Sequence, residues 1–482
     1  VRSDSSRVSR IAALALVLAL AAALRLRGID YGIPHPTARP DEERLVGRAQ
    51  HIFATSDWHP GSFYYPSLPF YVDALALHAY YGGKRLLGHY REPFDFLFEI
   101  AVTRPGLHYR ICRRVAAGAG IATVLAVYAL SISAYRRESA ALLAAAALAV
   151  CHLHVRDSHF ATVDGLMTLF VTLSLVFAVR AAQSPTVWNF TLAGALAGLA
   201  VSSKYNAALV LLPIATAAAL RWREARNRLA LAALAAAAAF ALTSPFLLLR
   251  AGRFWSEMLF LREYLYRDSA GDFALWDHLR TTFPQGLGWT LFVASAAGFG
   301  RALWRRSPSD LVLLSFVLPF LVLISTVRVT FPRYVLPVTP VLLVLAADLV
   351  GALARSRVPV MAAAAVLLLV PSLLLSAAFG GLAAREDTRL QAASFVSEHF
   401  EPRTRLVVCR GYGAPVLNQD RRRPPAFAVD ELDCSSGELP PEDTRFLVTH
   451  EHRELSAFSR VHPSLAEWLS NNAQVTASFD PY

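Results

Sequence analysis

The residues that could do chemistry begin with a run of acids. Arg39-Pro40-Asp41-Glu42-Glu43 opens a helical pattern carried by Leu45, Val46, Ala49, Ile52 and Phe53. Acids at a helix start are in part ordinary capping, because carboxylates favour the positive end of the helix. Capping does not account for the polar and aromatic stretch beyond that helix: Asp57, then Tyr64-Tyr65-Pro66-Ser67-Leu68-Pro69-Phe70-Tyr71 and a second amphipathic helix. A further acidic stretch, Arg156-Asp157-Ser158-His159-Phe160-Ala161-Thr162-Val163-Asp164, opens an apolar run. A carboxylate at the end of a membrane span is costly unless it is functional or paired. Such a group can take the proton of an attacking hydroxyl. Lys204, Arg333 and Arg328 also stand at span ends, where a cation can stabilise a phosphate or merely snorkel to lipid headgroups. His152, His154 and His159 crowd with Asp157 and Asp164. No closed metal-ligand set can be read from their spacing, so hydrogen bonding or headgroup contact is expected there, with a divalent cation as the alternative. No Gly-rich nucleotide loop stands in a strand–loop–helix context, so direct use of a nucleotide is not indicated.

Only a membrane could position these residues. Hydrophobic residues make up 55% of the 482-residue chain and charged residues 17%. Apolar runs cover roughly 10–26, 112–133, 139–155, 160–181, 190–202, 204–220, 229–249, 285–303, 310–327, 334–353 and 358–380, which predicts about eleven spans. The segment Tyr65 to Leu87, interrupted by Asp73, His78, Lys84 and Arg85, fits an interfacial helix better than a twelfth span. The first run is expected to be a retained helix and not a signal peptide, because Arg25, Leu26 and Arg27 come after it in place of a small-residue cleavage site. The start at Val1 and the end at Tyr482 leave open that the chain continues in either direction.

Arginine sets the expected orientation. Alternate loops carry Arg136 and Arg137, Arg221 to Arg228, Arg301 to Arg306, and Arg355 and Arg357, and they read as short, merely basic cytoplasmic loops. The formal charge of +11 is therefore topological: residues 381–482 carry −4, leaving +15 for the remainder. A contiguous basic face for nucleic acid is not indicated. An odd span count places the tail outside, together with the segments 27–110 and 250–284 and the turns holding Asp164, Lys204 and Arg333. The tail from about 381 reads as a small α/β domain, with a helix from Asp387 to His399 and β-like runs at Arg405–Cys409 and Arg445–Thr449. Cys409 and Cys434 are candidates for a disulfide if the tail is extracytoplasmic, and for two buried thiols otherwise.

The order of first span, Asp-Glu at a helix start, then a Tyr-Pro-Ser-Leu turn resembles family 39 glycosyltransferases. That family includes the protein O-mannosyltransferases and is similar to the bacterial aminoarabinose transferases, all of GT-C architecture. The stretch ending at Asp164 resembles their second outer-loop motif, Ser203-Lys204-Tyr205-Asn206 their lysine motif, and Phe331-Pro332-Arg333-Tyr334-Val335-Leu336-Pro337 their Arg-Tyr-Leu-Leu-Pro motif. Asp387-Thr388-Arg389 resembles the start of their outer C-terminal domain. Where many relatives have His-Pro-Pro-Leu this chain has Tyr65-Pro66-Ser67-Leu68, which leaves the donor sugar open.

The resemblance implies a polytopic helical GT-C domain over residues 1–380 and an extracytoplasmic domain over 381–482. It implies transfer of a sugar from a polyprenyl-phosphate donor to a protein, glycan or lipid acceptor on the outer face of the cytoplasmic membrane. Asp41 is then the base or acceptor-orienting group, supported by Glu42 and Asp164. Lys204, Arg333 and Arg328 hold the donor phosphate, and Tyr65, His159, Tyr205 and Tyr334 face the substrates. Segment 250–284, with Trp255, Tyr264, Tyr266, Trp276 and His278, forms a lid. The rival reading is a lipid or lipid-linked-sugar transporter without covalent chemistry. Transporters usually gather polar groups near the midplane between paired repeats; this chain gathers them at one face and shows no repeat. A noncatalytic lipid-binding subunit is the third reading.

Overall fold

The computed structural model describes residues 2–35, 37, 39–266, 274–327, 330–354, 357–418, 426–436, 438–450 and 462–479. Each of the eleven apolar runs falls largely on helix. In chain order the helices are α1 (Arg2–Leu26), α2 (Glu42–Thr55), α3 (Leu68–Leu86), α4 (Pro93–Phe98), α5 (Leu107–Tyr135), α6 (Glu138–Val150) and α7 (His152–Asp157). Next come α8 (Val163–Gln183), α9 (Val187–Ser203), α10 (Leu211–Leu220), α11 (Trp222–Thr243), α12 (Pro245–Leu249), α13 (Ala251–Tyr266) and α14 (Ala274–Asp277). The last are α15 (Phe283–Leu287), α16 (Trp289–Arg305), α17 (Pro308–Ser325), α18 (Thr339–Ala354), α19 (Val358–Ala383), α20 (Thr388–His399) and α21 (Pro463–Asn472). Among the described residues seven helices are long and apolar enough to cross a membrane, and three shorter apolar ones (138–150, 187–203 and 205–220) accompany them.

Close crossings hold the bundle. α9 lies against α11 through Gly194 and Gly198, where an added Cβ would run into the carbonyl oxygens of Ala232 and Ala236. Between lipid-embedded helices such contact is the main source of attraction, because lipid tails are as apolar as the side chains. α2 and α3 share a second apolar cluster with the start of α5, in which Leu45, Ile52, Phe53, Phe70, Leu77, Phe96 and Cys112 are buried. The segment Tyr65 to Leu87, read as an interfacial helix, is helical over Leu68–Leu86.

The arginine-rich turns around the ends of α16, α17 and α18 also hold buried acids. Asp310 and Asp348 are buried there, paired with Arg305 at 2.5 and 2.8 Å; Asp348 also meets Arg301 at 2.5 Å and Arg137 at 3.3 Å. Asp310 is legible in the sequence as a helix-start acid, but Asp348 lies inside an apolar run and its partners appear only in three dimensions.

The tail contains a three-stranded parallel sheet of order β2-β1-β3, with β1 Arg405–Cys409, β2 Ala428–Leu432 and β3 Leu447–Val448. β1 and β3 lie in the runs read as strands. β2 escapes a pattern reading because Asp430 and Glu431 interrupt its alternation and only Leu432 is buried. Cys409 and Cys434 form a disulfide with their Cα atoms 5.4 Å apart.

Candidate active site

Asp41 precedes α2 with φ 70 and ψ −20, in the left-handed region, and its side chain makes no capping hydrogen bond. For a non-glycine residue that conformation costs roughly 1 kcal/mol. A carboxylate that only capped the helix would bond to the first-turn amides; this one is aimed elsewhere. Arg333 donates from Nη2 to Asp41 Oδ2 at 2.6 Å, across 292 residues of sequence.

Asp164 lies in the first turn of α8 and is 2% exposed, so the helix dipole adds to the stabilisation of its charge. Lys204 Nζ donates to its Oδ1 at 2.7 Å, and Arg333 Nε stands 3.9 Å from Oδ2. The local backbone explains both cations. Lys204 is extended (φ −157, ψ 132) between α9 and the 3₁₀ turn Tyr205–Val210, which swings it out of the helical ladder. Arg333 sits in the 3₁₀ turn Pro332–Val338, where Pro337 has no N–H to offer the Arg333 carbonyl and so breaks the regular α-helical ladder ahead of α18. The Tyr334 ring centroid is 5.1 Å from Lys204 Nζ. Tyr65 lies in the field of Asp41, Arg333, Asp164 and Tyr334; burial first, then the Asp41 charge, hold its phenol above the ordinary range. Two carboxylates, two cations and two phenols thus converge from five segments.

Other expected site residues go elsewhere. Glu42 is fully buried and accepts from Arg113 Nε at 2.8 Å and Nη2 at 2.6 Å, and from the Ala161 amide at 2.9 Å. Arg113 also donates to the carbonyls of Ile29 and Tyr31 at 2.8 and 2.7 Å. The pair therefore clasps the exit of α1, the start of α2, α5 and the approach to Asp164. His159 is buried, with ring nitrogens 2.8 Å from the Val155 carbonyl and 2.9 Å from that of Arg27. The hydroxyl of Tyr205 donates to the Phe63 carbonyl at 2.9 Å, tying the segment between α2 and α3 to the turn after α9. His278 is buried beside Thr282, whereas Trp276 is exposed under the Arg280 guanidinium. Arg328 lies outside the described residues, as do 267–273 of the expected lid and the side chains of Tyr264 and Tyr266.

Sequence reading missed Arg113, whose position just inside a span looks like ordinary snorkelling. It also missed Glu43, which burial holds above the usual carboxyl range and which accepts from Tyr412 Oη at 2.9 Å. An open pocket of about 540 Å³ adjoins the cluster, lined in part by Glu43, Arg44, Arg48, Tyr64 and Tyr65. Tyr65 belongs to both. Among the described residues no group of three His, Cys, Asp or Glu side chains is placed to hold a metal.

A family model, dolichyl-phosphate-mannose-protein mannosyltransferase, matches residues 106–249. No curated protein sequence matches the chain. Among solved structures, apo ArnT from Cupriavidus metallidurans is 18% identical, with 98% of this chain and 92% of that one covered and a TM-score of 0.56. The chain has the GT-C membrane glycosyltransferase fold. ArnT bound to undecaprenyl phosphate matches over the same shares at 16% identity and TM-score 0.56. The Archaeoglobus fulgidus oligosaccharyltransferase AglB, in complex with an inhibitory peptide and a dolichol-phosphate, is 13% identical with a TM-score of 0.52. That match covers 88% of this chain and 65% of AglB, so the chain spans just under two thirds of that protein's length.

Proposed function

We propose that this protein transfers a sugar from a polyprenyl-phosphate donor to a hydroxyl-bearing acceptor at the outer face of the cytoplasmic membrane. The observation that carries the reading is the Asp41–Arg333–Asp164–Lys204 chain, a site with two carboxylates and two cations balanced before any donor arrives. A donor phosphate brings negative charge and competes with the carboxylates for Arg333 and Lys204. Once Arg333 turns to the phosphate, Asp41 is released. The acceptor oxygen then attacks the anomeric carbon as its proton passes to Asp41, and the bond from that carbon to the phosphate oxygen breaks with its electron pair on the phosphate. The cations stabilise the charge that develops there. Asp164 keeps Lys204 and Arg333 aimed. Glu42 and Arg113 act at one remove by fixing the backbone on both sides of the site. The GT-C fold and the partial family match support this reading. So does the outer-face location that the arginine bias gives, with residues 1–380 as the membrane domain and 381–482 as an outer domain.

The test is to supply purified protein with a panel of polyprenyl-phosphate hexoses and pentoses and hydroxyl acceptors. Release of free polyprenyl phosphate with a glycosylated acceptor supports the proposal. Movement of intact donor across a vesicle wall, with none of it cleaved, would replace the enzyme with the transporter.

A further inference from the structure

Among the described residues the tail meets the segment around Asp41 through the loop after β1 and through the start of α20, and the ties are specific. β1 ends at Cys409, bonded to Cys434, and the chain continues as Arg410-Gly411-Tyr412-Gly413-Ala414. Both glycines make room for the His450 ring: an added Cβ would lie 3.0 Å from it at Gly411 and would overlap it at Gly413. On the other side the loop meets the segment leading to Asp41. Asp387 grips the Arg389 guanidinium at 2.6 and 2.8 Å. Arg389 in turn donates to the Tyr412 carbonyl at 2.8 Å and the Thr37 carbonyl at 3.2 Å. His35 Nε2 lies 2.8 Å from the Ala414 carbonyl. Finally, Tyr412 Oη donates to Glu43 Oε1 at 2.9 Å, two residues from Asp41, while Glu43 Oε2 is buried without a hydrogen-bond partner among the described residues.

We propose that the tail completes the active site, with Tyr412 as a positioning residue that fixes Glu43 in the first turn of α2 and thereby the aim of Asp41. The inference rests on reading Asp41 as the reacting carboxylate. Asp41 has a left-handed backbone and no side-chain capping bond, and its carboxylate is held by Arg333 at 2.6 Å. The tie from Tyr412 to Glu43 adds a restraint on the turn from which that carboxylate projects, and Arg389 fixes the chain four residues earlier. The same bond tunes charge. A phenol donating to a carboxylate favours the ionised form, so it opposes the upward shift that burial imposes on Glu43. Without the phenol, Glu43 takes up its proton at higher pH, and the first turn of α2 loses that negative charge sooner as pH falls.

The experiment compares Tyr412→Phe, Glu43→Gln and the double variant in the full chain, using the polyprenyl-phosphate sugar that the parent turns over fastest. Tyr412→Phe should lower kcat about tenfold, as expected for a lost hydrogen bond to a charged group. It should leave affinity for undecaprenyl phosphate within about twofold and move the acid limb of the pH–kcat profile upward. Because both residues act through one bond, the double variant should be no slower than the slower single one. A Tyr412→Phe enzyme with parental kcat and an unmoved acid limb overturns the inference, as do losses that multiply in the double variant. Active Asp41→Asn protein would instead sink the underlying reading. Inactive Asp41→Asn beside a silent Tyr412→Phe sinks only the role of the tail.

Discussion

Replacing Arg113 by Met should cripple the fold more than any loss of catalysis could explain. Glu42 and Arg113 are both 0% exposed and joined by two hydrogen bonds of 2.6 and 2.8 Å. Met preserves much of the volume but leaves the Glu42 carboxylate buried with only the Ala161 amide, and strips the Ile29 and Tyr31 carbonyls of their donor. Removing one member of a buried ion pair costs about 3–5 kcal/mol. The orphaned carbonyls push the total to the upper end of that range. Thermal unfolding in detergent should report this as a drop of roughly 5 °C. Adding Glu42→Gln removes the stranded charge and should recover about half the loss, whereas Glu42→Gln alone keeps an acceptor for Arg113 and costs less. The pair of variants also separates support from chemistry. If the double variant regains stability and turns over donor in proportion, Glu42 acts through position. Arg113→Met protein as stable as the parent would refute the clasp.

Three further outcomes rest on the same geometry. Lys204→Ala leaves the buried Asp164, among the described residues, with only the 3.9 Å contact to Arg333 and should weaken undecaprenyl-phosphate binding at least tenfold. Lys204→Arg should not restore it, because a planar fork needs a different pocket from a compact ammonium; parental binding and turnover by both variants would make Lys204 a span-end anchor. Changing both Cys409 and Cys434 to Ser opens a loop of sequence separation 25 and should cost the tail about 3.5 kcal/mol in the chain-entropy account, read by denaturant titration of the intact protein; an unchanged midpoint would contradict it. A single Cys placed at Ser436 should react with an impermeant maleimide on intact cells, and protection until lysis would invert the topology.

The sequence disclosed the cluster better than its support. Asp164, Lys204 and Arg333 were legible because each stands at or near the end of an apolar run, where lipid makes an idle charge costly, and Asp41 because it opens a helical pattern after the first run. Their pairing was not legible: Asp41 and Arg333 are 292 residues apart, and no local pattern joins them. Glu42 looked like Asp41's partner in chemistry because the two are adjacent. A helix turns about 100° per residue, however, and Glu42 faces the packed interior, where Arg113 waits. His159 misled for a related reason: it lies in the turn just after the short helix α7, where its ring meets backbone carbonyls, and one helical turn between two apolar runs leaves no periodic signal. The tail's helix and two of its strands were readable from pattern. Tyr412 was not, since a Gly-Tyr-Gly loop reads as a turn whether or not its phenol touches anything.

In the proposed mechanism Asp41 takes the acceptor proton while Arg333 and Lys204 hold the departing phosphate. The direct measurement is kcat and undecaprenyl-phosphate affinity for Asp41→Asn in the purified full chain. Asparagine keeps the size but cannot act as a base near neutral pH, so kcat should fall about 10²–10⁴-fold. Affinity for the lipid phosphate should hold or tighten, because Arg333 loses the carboxylate that competes for it. Turnover within a few-fold of the parent would contradict that role, and the proton acceptor would have to be another group.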